Sequence, residues 1–322
     1  MKKNERTFCF YEIKVIARTK KSSNFSPKPL TVKEAIETIF YSPIETHHPR
    51  RAGSKLIYGI DDIEATTTGA KILFYRSDLN EATPSVRDHS TEEVRELERH
   101  HTEGNSYSSH AIIKYSAHPE EPALLVIEQC AGIGPTRIEV ILRQVIRKCK
   151  SHHPNLFQQK EHYGLKDKDN NDIVFDVVYD FEITGIPSKS LVKDLQDGEL
   201  TAFELVKEGK LVKQFDDQQY FEEKEAVVKL QIADKNDTVK NKYEEIQRLL
   251  GKYGKNYSKA RLRIKPRNSK EYSISWDNSS GFAEEYIKRV LAKGIAPELK
   301  STYKKLHHPL VTRMLSEVNK HA

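Results

Sequence analysis

The chain has 322 residues, 37% hydrophobic and 31% charged, a polar balance that still leaves enough apolar surface for a folded core. No apolar run approaches the roughly 18 residues that span a bilayer, and the first residues lead into no signal-peptide core. Cys9, Cys130 and Cys149 are too few and too scattered for a disulfide framework or a cysteine zinc site, so a cytoplasmic protein with free thiols and neither metal nor cofactor is expected.

Length sets a prior of two domains. The formal charge of +6 is unevenly spread. Residues 251–322 hold 16 Lys/Arg against 6 Asp/Glu, whereas residues 1–250 hold 37 against 41. An acidic front and a basic end point to a polyanionic partner for the C-terminal part.

Residues 7–16 alternate as a strand, with Cys9, Tyr11, Ile13 and Val15 on one face. Thr31-Val32-Lys33-Glu34 is a capping box, in which threonine and glutamate each satisfy a backbone N–H at a helix start. The helix has Val32, Ala35, Ile36, Ile39 and Phe40 as its apolar stripe and stops near Pro43. Residues 56–60 and 71–76 read as strands. Ser90-Thr91-Glu92-Glu93 is a second capping box and predicts a short exposed helix to about His101. Residues 110–115 and 123–130 predict a hairpin around Pro119-Glu120-Glu121-Pro122. Gly134-Pro135 opens a helix to about Lys150, since proline at the first helical position costs no hydrogen bond. Its buried stripe is Ile138, Ile141, Leu142, Val145 and Cys149, and Arg137, Arg143, Arg147 and Lys148 face outward. Residues 173–183 alternate as a long strand.

Gly185-Ile186-Pro187-Ser188 is the expected boundary between an N-terminal domain, 1–187, and a basic C-terminal domain, 188–322. The second opens with a helix over 189–195, a hairpin around Glu208-Gly209-Lys210 and a strand over 227–232. Asp237 caps a helix with the stripe Val239, Tyr243, Ile246 and Leu250, which Gly251 can end. After a basic strand come a strand with Tyr272, Ile274 and Trp276 on one face, a helix over 282–291, and two short C-terminal helices. Strands and helices mix without a strict βαβ rhythm. The fold class is therefore α+β, two mixed sheet/helix domains, the second carrying the basic strand.

That strand, Lys259-Ala260-Arg261-Leu262-Arg263-Ile264-Lys265-Pro266-Arg267, alternates throughout. Ala260, Leu262 and Ile264 would face a core, and Lys259, Arg261, Arg263, Lys265 and Arg267 would share the opposite face. From Lys252 to Lys270 there are eight basic residues and no acidic one. Such a face needs an anion, a carboxylate or water to screen it. The candidate phosphate contacts are Lys252, Lys255, Lys259, Arg261, Arg263, Lys265, Arg267 and Lys270, with Tyr257 placed to stack or hydrogen-bond. No recognition helix is evident, so little sequence preference is expected. A solvated face balanced by carboxylates elsewhere is the alternative.

Other patterns are incomplete. Gly132-x-Gly134 lacks the lysine and third glycine of phosphate loops, and the four His-His pairs lack supporting metal ligands. Arg95-x4-His100 and Arg147-x4-His152 have the spacing of HEPN-type ribonucleases. Glu12-Ile13-Lys14 matches half of a restriction-type nuclease core, whose carboxylates hold Mg²⁺. No catalytic or metal-ligating residue is assigned, and a nuclease effector and a protein–protein adaptor stand as the competing readings.

The order of elements resembles that of RexA-type phage-exclusion proteins of lambdoid prophages over most of residues 7–270. Gly134-Pro135-Thr136 at a helix start and Ile264-Lys265-Pro266 at the end of the basic strand carry the detail. The chain also resembles, more loosely, KwaB-type phage-defence proteins. The resemblance implies sequence-tolerant binding of double-stranded DNA, a homodimer, and a membrane-protein partner. It brings no catalytic motif, and residues 77–109 and 296–322 have no counterpart in it.

Overall fold

The computed structural model describes residues 2–20, 25–49, 54–160, 166, 170–214, 222–230, 242–253, 257–266, 270–277 and 281–321. The first run of elements is β1 (Glu5–Thr19), α1 (Val32–Phe40), β2 (Leu56–Ala65), β3 (Gly69–Asp78), β4 (Ser85–Arg87), β5 (Val94–Glu96), β6 (Asn105–Lys114), β7 (Ala123–Glu128), α2 (Pro135–Cys149), β8 (Gln158–Lys160) and β9 (Val174–Gly185). Next come α3 (Lys189–Asp197), β10 (Glu199–Gln214), β11 (Glu222–Leu230), α4 (Lys242–Tyr253), β12 (Lys259–Lys265), β13 (Tyr272–Asp277) and β14 (Gly281–Phe282). The chain ends with β15 (Arg289–Lys293) and α5 (His308–His321). The class is α+β.

The chain forms two compact units, Met1–Ile183 with Val290–Ala322, and Thr184–Arg289. Residues 188–322 therefore do not stand together as one domain, because the C-terminal segment returns to the first unit, where β15 pairs with β1. The basic end is divided with it. Residues 251–289 hold ten basic and four acidic residues, and residues 290–322 hold six and two.

In the first unit the strands follow the path β2-β3-β6-β7-β1-β9-β8. β1 is interior, so Phe8, Cys9, Phe10 and Tyr11 are all buried and both faces of the strand are covered there. α1 begins as the capping box requires: the Glu34 N–H donates to Thr31 Oγ1 (3.1 Å) and the Thr31 N–H to Glu34 Oε2 (2.7 Å). α2 starts at Pro135 and buries Ile138, Ile141, Leu142, Val145, Ile146 and Cys149. Among the described residues, no helix is long and apolar enough to cross a membrane.

Three of the predicted helices change. Residues 90–101 form no helix. Asp88 Oδ1 accepts from the Ser90 N–H and hydroxyl, Glu92 has φ 61°, and β4 pairs with β5 around that turn. The local aspartate turn outcompetes the capping box because no apolar stripe follows to reward a helix. Residues 282–291 give β14, one 3-10 turn and β15, since Gly281 (φ 77°) and pairing with β1 favour extended chain. One C-terminal helix, α5, replaces the expected two.

The second unit is a five-stranded sheet, β11-β10-β12-β13-β14, whose neighbouring strands run antiparallel. β10 does not turn at Gly209 but continues to Gln214, with a register irregularity between Glu208 and Leu211, a usual consequence of glycine within a strand. α4 likewise passes through Gly251, where there is open space, and runs on to Tyr253. The expected cap Asp237 and stripe residue Val239 lie outside the described residues. Leu191 and Leu195 of α3 and Ile246 and Leu250 of α4 pack on Phe203, Leu205, Leu262, Ile264 and Ile274, so the helices cover one face of the sheet. The ends of the unit are tied together: the Lys288 N–H donates to the Ile186 carbonyl (2.7 Å) and the Ser188 N–H to the Tyr286 carbonyl (2.8 Å).

Candidate nucleic-acid interface

β12 is the middle strand of this sheet and alternates as its sequence demands. Ala260, Leu262 and Ile264 are buried, Arg261, Arg263 and Lys265 are exposed, and Lys259 is half-buried. Same-face residues along a strand stand about 6.7 Å apart, so the four cations form a straight column on the face opposite the helices.

The register fixes what flanks each cation. Lys259 lies opposite Asp277 and Val206, Arg261 opposite Ser275 and Glu204, and Lys265 opposite Glu199. Arg263 lies opposite Ser273 on β13 and Ala202 on β10, and is the one cation of the column without a carboxylate directly across from it. Neither neighbour is long enough to cover a guanidinium. Among the described residues none forms an ion pair with Arg263 or Lys265. Lys259, Arg261 and Asp277 are engaged in interactions of their own. Glu204 also lies opposite Lys229 of β11 and pairs with it at 3.7 Å. Thr201 is the extra residue of a bulge beside this site, and its hydroxyl donates to Glu271 and lies 3.3 Å from the Arg263 carbonyl.

The other sequence-based candidates fall elsewhere. Lys252 is exposed at the end of α4, in the layer that covers the opposite face of the sheet, and its ammonium lies 5.3 Å from the Tyr253 ring. Tyr257 is half-buried and packs against the core of the unit. Lys270 is exposed just before β13. Lys255 and Arg267 lie outside the described residues. Ser273, Ser275 and the carboxylates at β13 were legible by the same alternation, because Glu271, Ser273, Ser275 and Asp277 share the face opposite Ile274.

The catalytic patterns gain no support from the geometry. Among the described residues, no group of three or more His, Cys, Asp and Glu side chains is placed to hold a metal. Lys14 is tied to Glu182 (3.1 Å). Arg95 sits in the exposed β4–β5 hairpin rather than on a helix, and Arg147 bonds Asp180 (2.9 Å). Gly132 (φ 71°) leaves room for Arg76, whose Nη1 would lie 2.8 Å from an added Cβ and which pairs with Asp78 (2.8 Å) and Glu81 (2.5 Å). The Gly132-x-Gly134 turn therefore accommodates a side chain of the protein itself. Burial pushes the half-buried Cys130 thiol up to about 12, which leaves it unreactive.

Comparisons of the chain with protein-family models, with curated proteins and with solved structures gave no match.

Proposed function

We propose that the open face of the second unit binds double-stranded DNA through its phosphates, with little sequence preference. The observation that carries this reading is Arg263, an exposed guanidinium in the middle of a strand, between alanine and serine, with no carboxylate across from it. A planar five-donor group in that setting suits a phosphate. The described residues of this face carry no aromatic ring, so stacking on unpaired bases is not served, and backbone contact to a duplex fits better. Among the described residues no helix is presented toward a groove from this side of the sheet, in keeping with sequence tolerance.

The wider role we propose, exclusion or defence against phage by a homodimer beside a membrane protein, rests on the resemblance in element order. Tyr272 and Trp276 do not serve a dimer contact as a bare face would, because both pack against the core of their own unit.

A second reading has its own observation. Lys259, Arg261 and Lys265 each face a carboxylate, so the surface is mixed in charge and fits an adaptor that meets a protein. Titration of the full chain with two unrelated duplexes, the corresponding single strands and an acidic peptide separates the readings. DNA binding predicts equal affinity for the duplexes, weaker binding of single strands, and a steep loss with salt. Absence of duplex binding at low salt would overturn it.

A further inference from the structure

The first unit contains a buried polar chain. Glu128, at the end of β7, has both carboxylate oxygens occupied. Oε1 accepts from Arg6 Nε (2.6 Å), and Oε2 from His110 Nδ1 (2.7 Å) and the His110 backbone N–H (3.1 Å). Arg6, Glu128 and His110 are 3%, 1% and 0% exposed. Groups buried this completely are retained only when each is bonded.

The far ends of this chain reach the C-terminal segment. Arg6 donates to the Lys300 carbonyl (2.9 Å), and His110 Nε2 meets the backbone N–H of His307 (3.1 Å). A backbone N–H only donates, so Nε2 presents a lone pair and the proton of the neutral ring sits on Nδ1, toward Glu128. His307 Nδ1 in turn accepts from the Leu310 N–H (3.4 Å), capping the first turn of α5. The Tyr303 ring lies against both imidazoles, at 5.3 Å and 5.0 Å. The same segment is bonded through Tyr303 N–H to Ser108 Oγ (2.9 Å) and Leu306 N–H to Asp62 Oδ2 (2.9 Å).

We propose that residues 300–307 are a proton-released strap, which His110 and His307 hold against the sheet and which a proton on the His307 ring loosens. A proton on His307 Nδ1 removes the cap of α5. The charged and titratable groups facing the pair are Arg6 on β1, Glu128 on β7, Asp61 and Asp62 on β2, Tyr303 in the strap and His308 at the start of α5. Glu128 is shared between Arg6 and His110. Asp61 pairs with Lys304 at 3.2 Å, and Asp62 bonds strap backbone.

Burial, and after it the neighbouring His110, holds the His307 ring below its ordinary value of 6.5. The closed form therefore binds fewer protons than the open one. Its stability is present above about 6.5 and is lost as pH falls below that value.

The test is hydrogen exchange on the full chain at pH 7.5 and 5.5, corrected for the chemical exchange rate. If the open form alone protonates His307, opening of amides 301–311 rises about tenfold over that interval, while amides of α1 and α2 keep their protection. In His307→Asn an amide oxygen replaces the Nδ1 acceptor and cannot titrate, so the rise is lost. Should that variant not fold, the wild-type profile decides alone. Opening of the strap that is unchanged, or that rises equally in α1 and α2, overturns the proposal.

Discussion

Arg263 and Glu139 show how one neighbour sets a charged residue's role. Arg261 and Arg263 have the same sequence context, two residues apart in one strand, yet only Arg261 has a carboxylate, Glu204, directly across. Pairing registers, which join residues some 60 positions apart in the chain, make that distinction, and no local pattern holds it. Glu139 on α2 is a second case. Burial, with help from Glu182, pushes its carboxyl up to about 7, against the Ile183 N–H that it accepts at 2.7 Å. The folded state therefore holds this proton more tightly than the unfolded one. The contribution to stability is full below about 4.5 and is lost as pH rises through 7. Glu139→Gln keeps the acceptor and never ionises. Thermal melting should show it near wild type at pH 4.5 and more stable than wild type at pH 8; equal melting at both pH values would mean the carboxyl ionises without penalty.

Strand β12 was legible in the sequence because strict alternation leaves only one way to bury Ala260, Leu262 and Ile264. α1 and α2 were legible for a similar reason: a cap and a 3.6-residue stripe agree in each. Where local signals stood alone they misled. The capping box at residues 90–93 has no stripe behind it, and the turn at Asp88 won. Gly209 and Gly251 looked like punctuation, but pairing along β10 and packing of α4 carried the chain through both. The two faces of β12 give opposite expectations for adjacent residues. Leu262→Ala should lower stability by about 2–5 kcal/mol, the cost of a cavity at a fully buried leucine. Arg263→Ala should stay within about 0.5 kcal/mol of wild type. Urea denaturation measures both, and a large loss in Arg263→Ala would make that arginine a structural residue.

The largest gap between sequence and structure lies in the division of the molecule. The glycine and proline at 185–187 mark where the second unit begins, but nothing local announces that the chain returns to the first unit at Val290. That return rests on the pairing of β15 with β1 and on burial of Leu310, Val311, Met314 and Val318, both long-range effects. A chain ending at residue 187 should therefore fail to fold cooperatively. Replacing residues 187–287 by a short Gly/Ser linker should leave a first unit that melts in one transition, because the Lys288 N–H and Ile186 carbonyl already meet at 2.7 Å. Cooperative melting of the truncated chain would show that β15 and α5 are dispensable.

The central claim is that Arg263 meets a DNA phosphate, and the salt dependence of duplex binding tests it most directly. Each phosphate contact releases condensed counterions, so the slope of log affinity against log salt changes by about 0.9 for each contact removed. With both proteins shown to be folded by circular dichroism, Arg263→Ala should bind unrelated duplexes more weakly than wild type, by a similar factor on each, with a slope flatter by about 0.9. Equal affinities and equal slopes would contradict the account and leave the mixed-charge face as a surface for a protein partner.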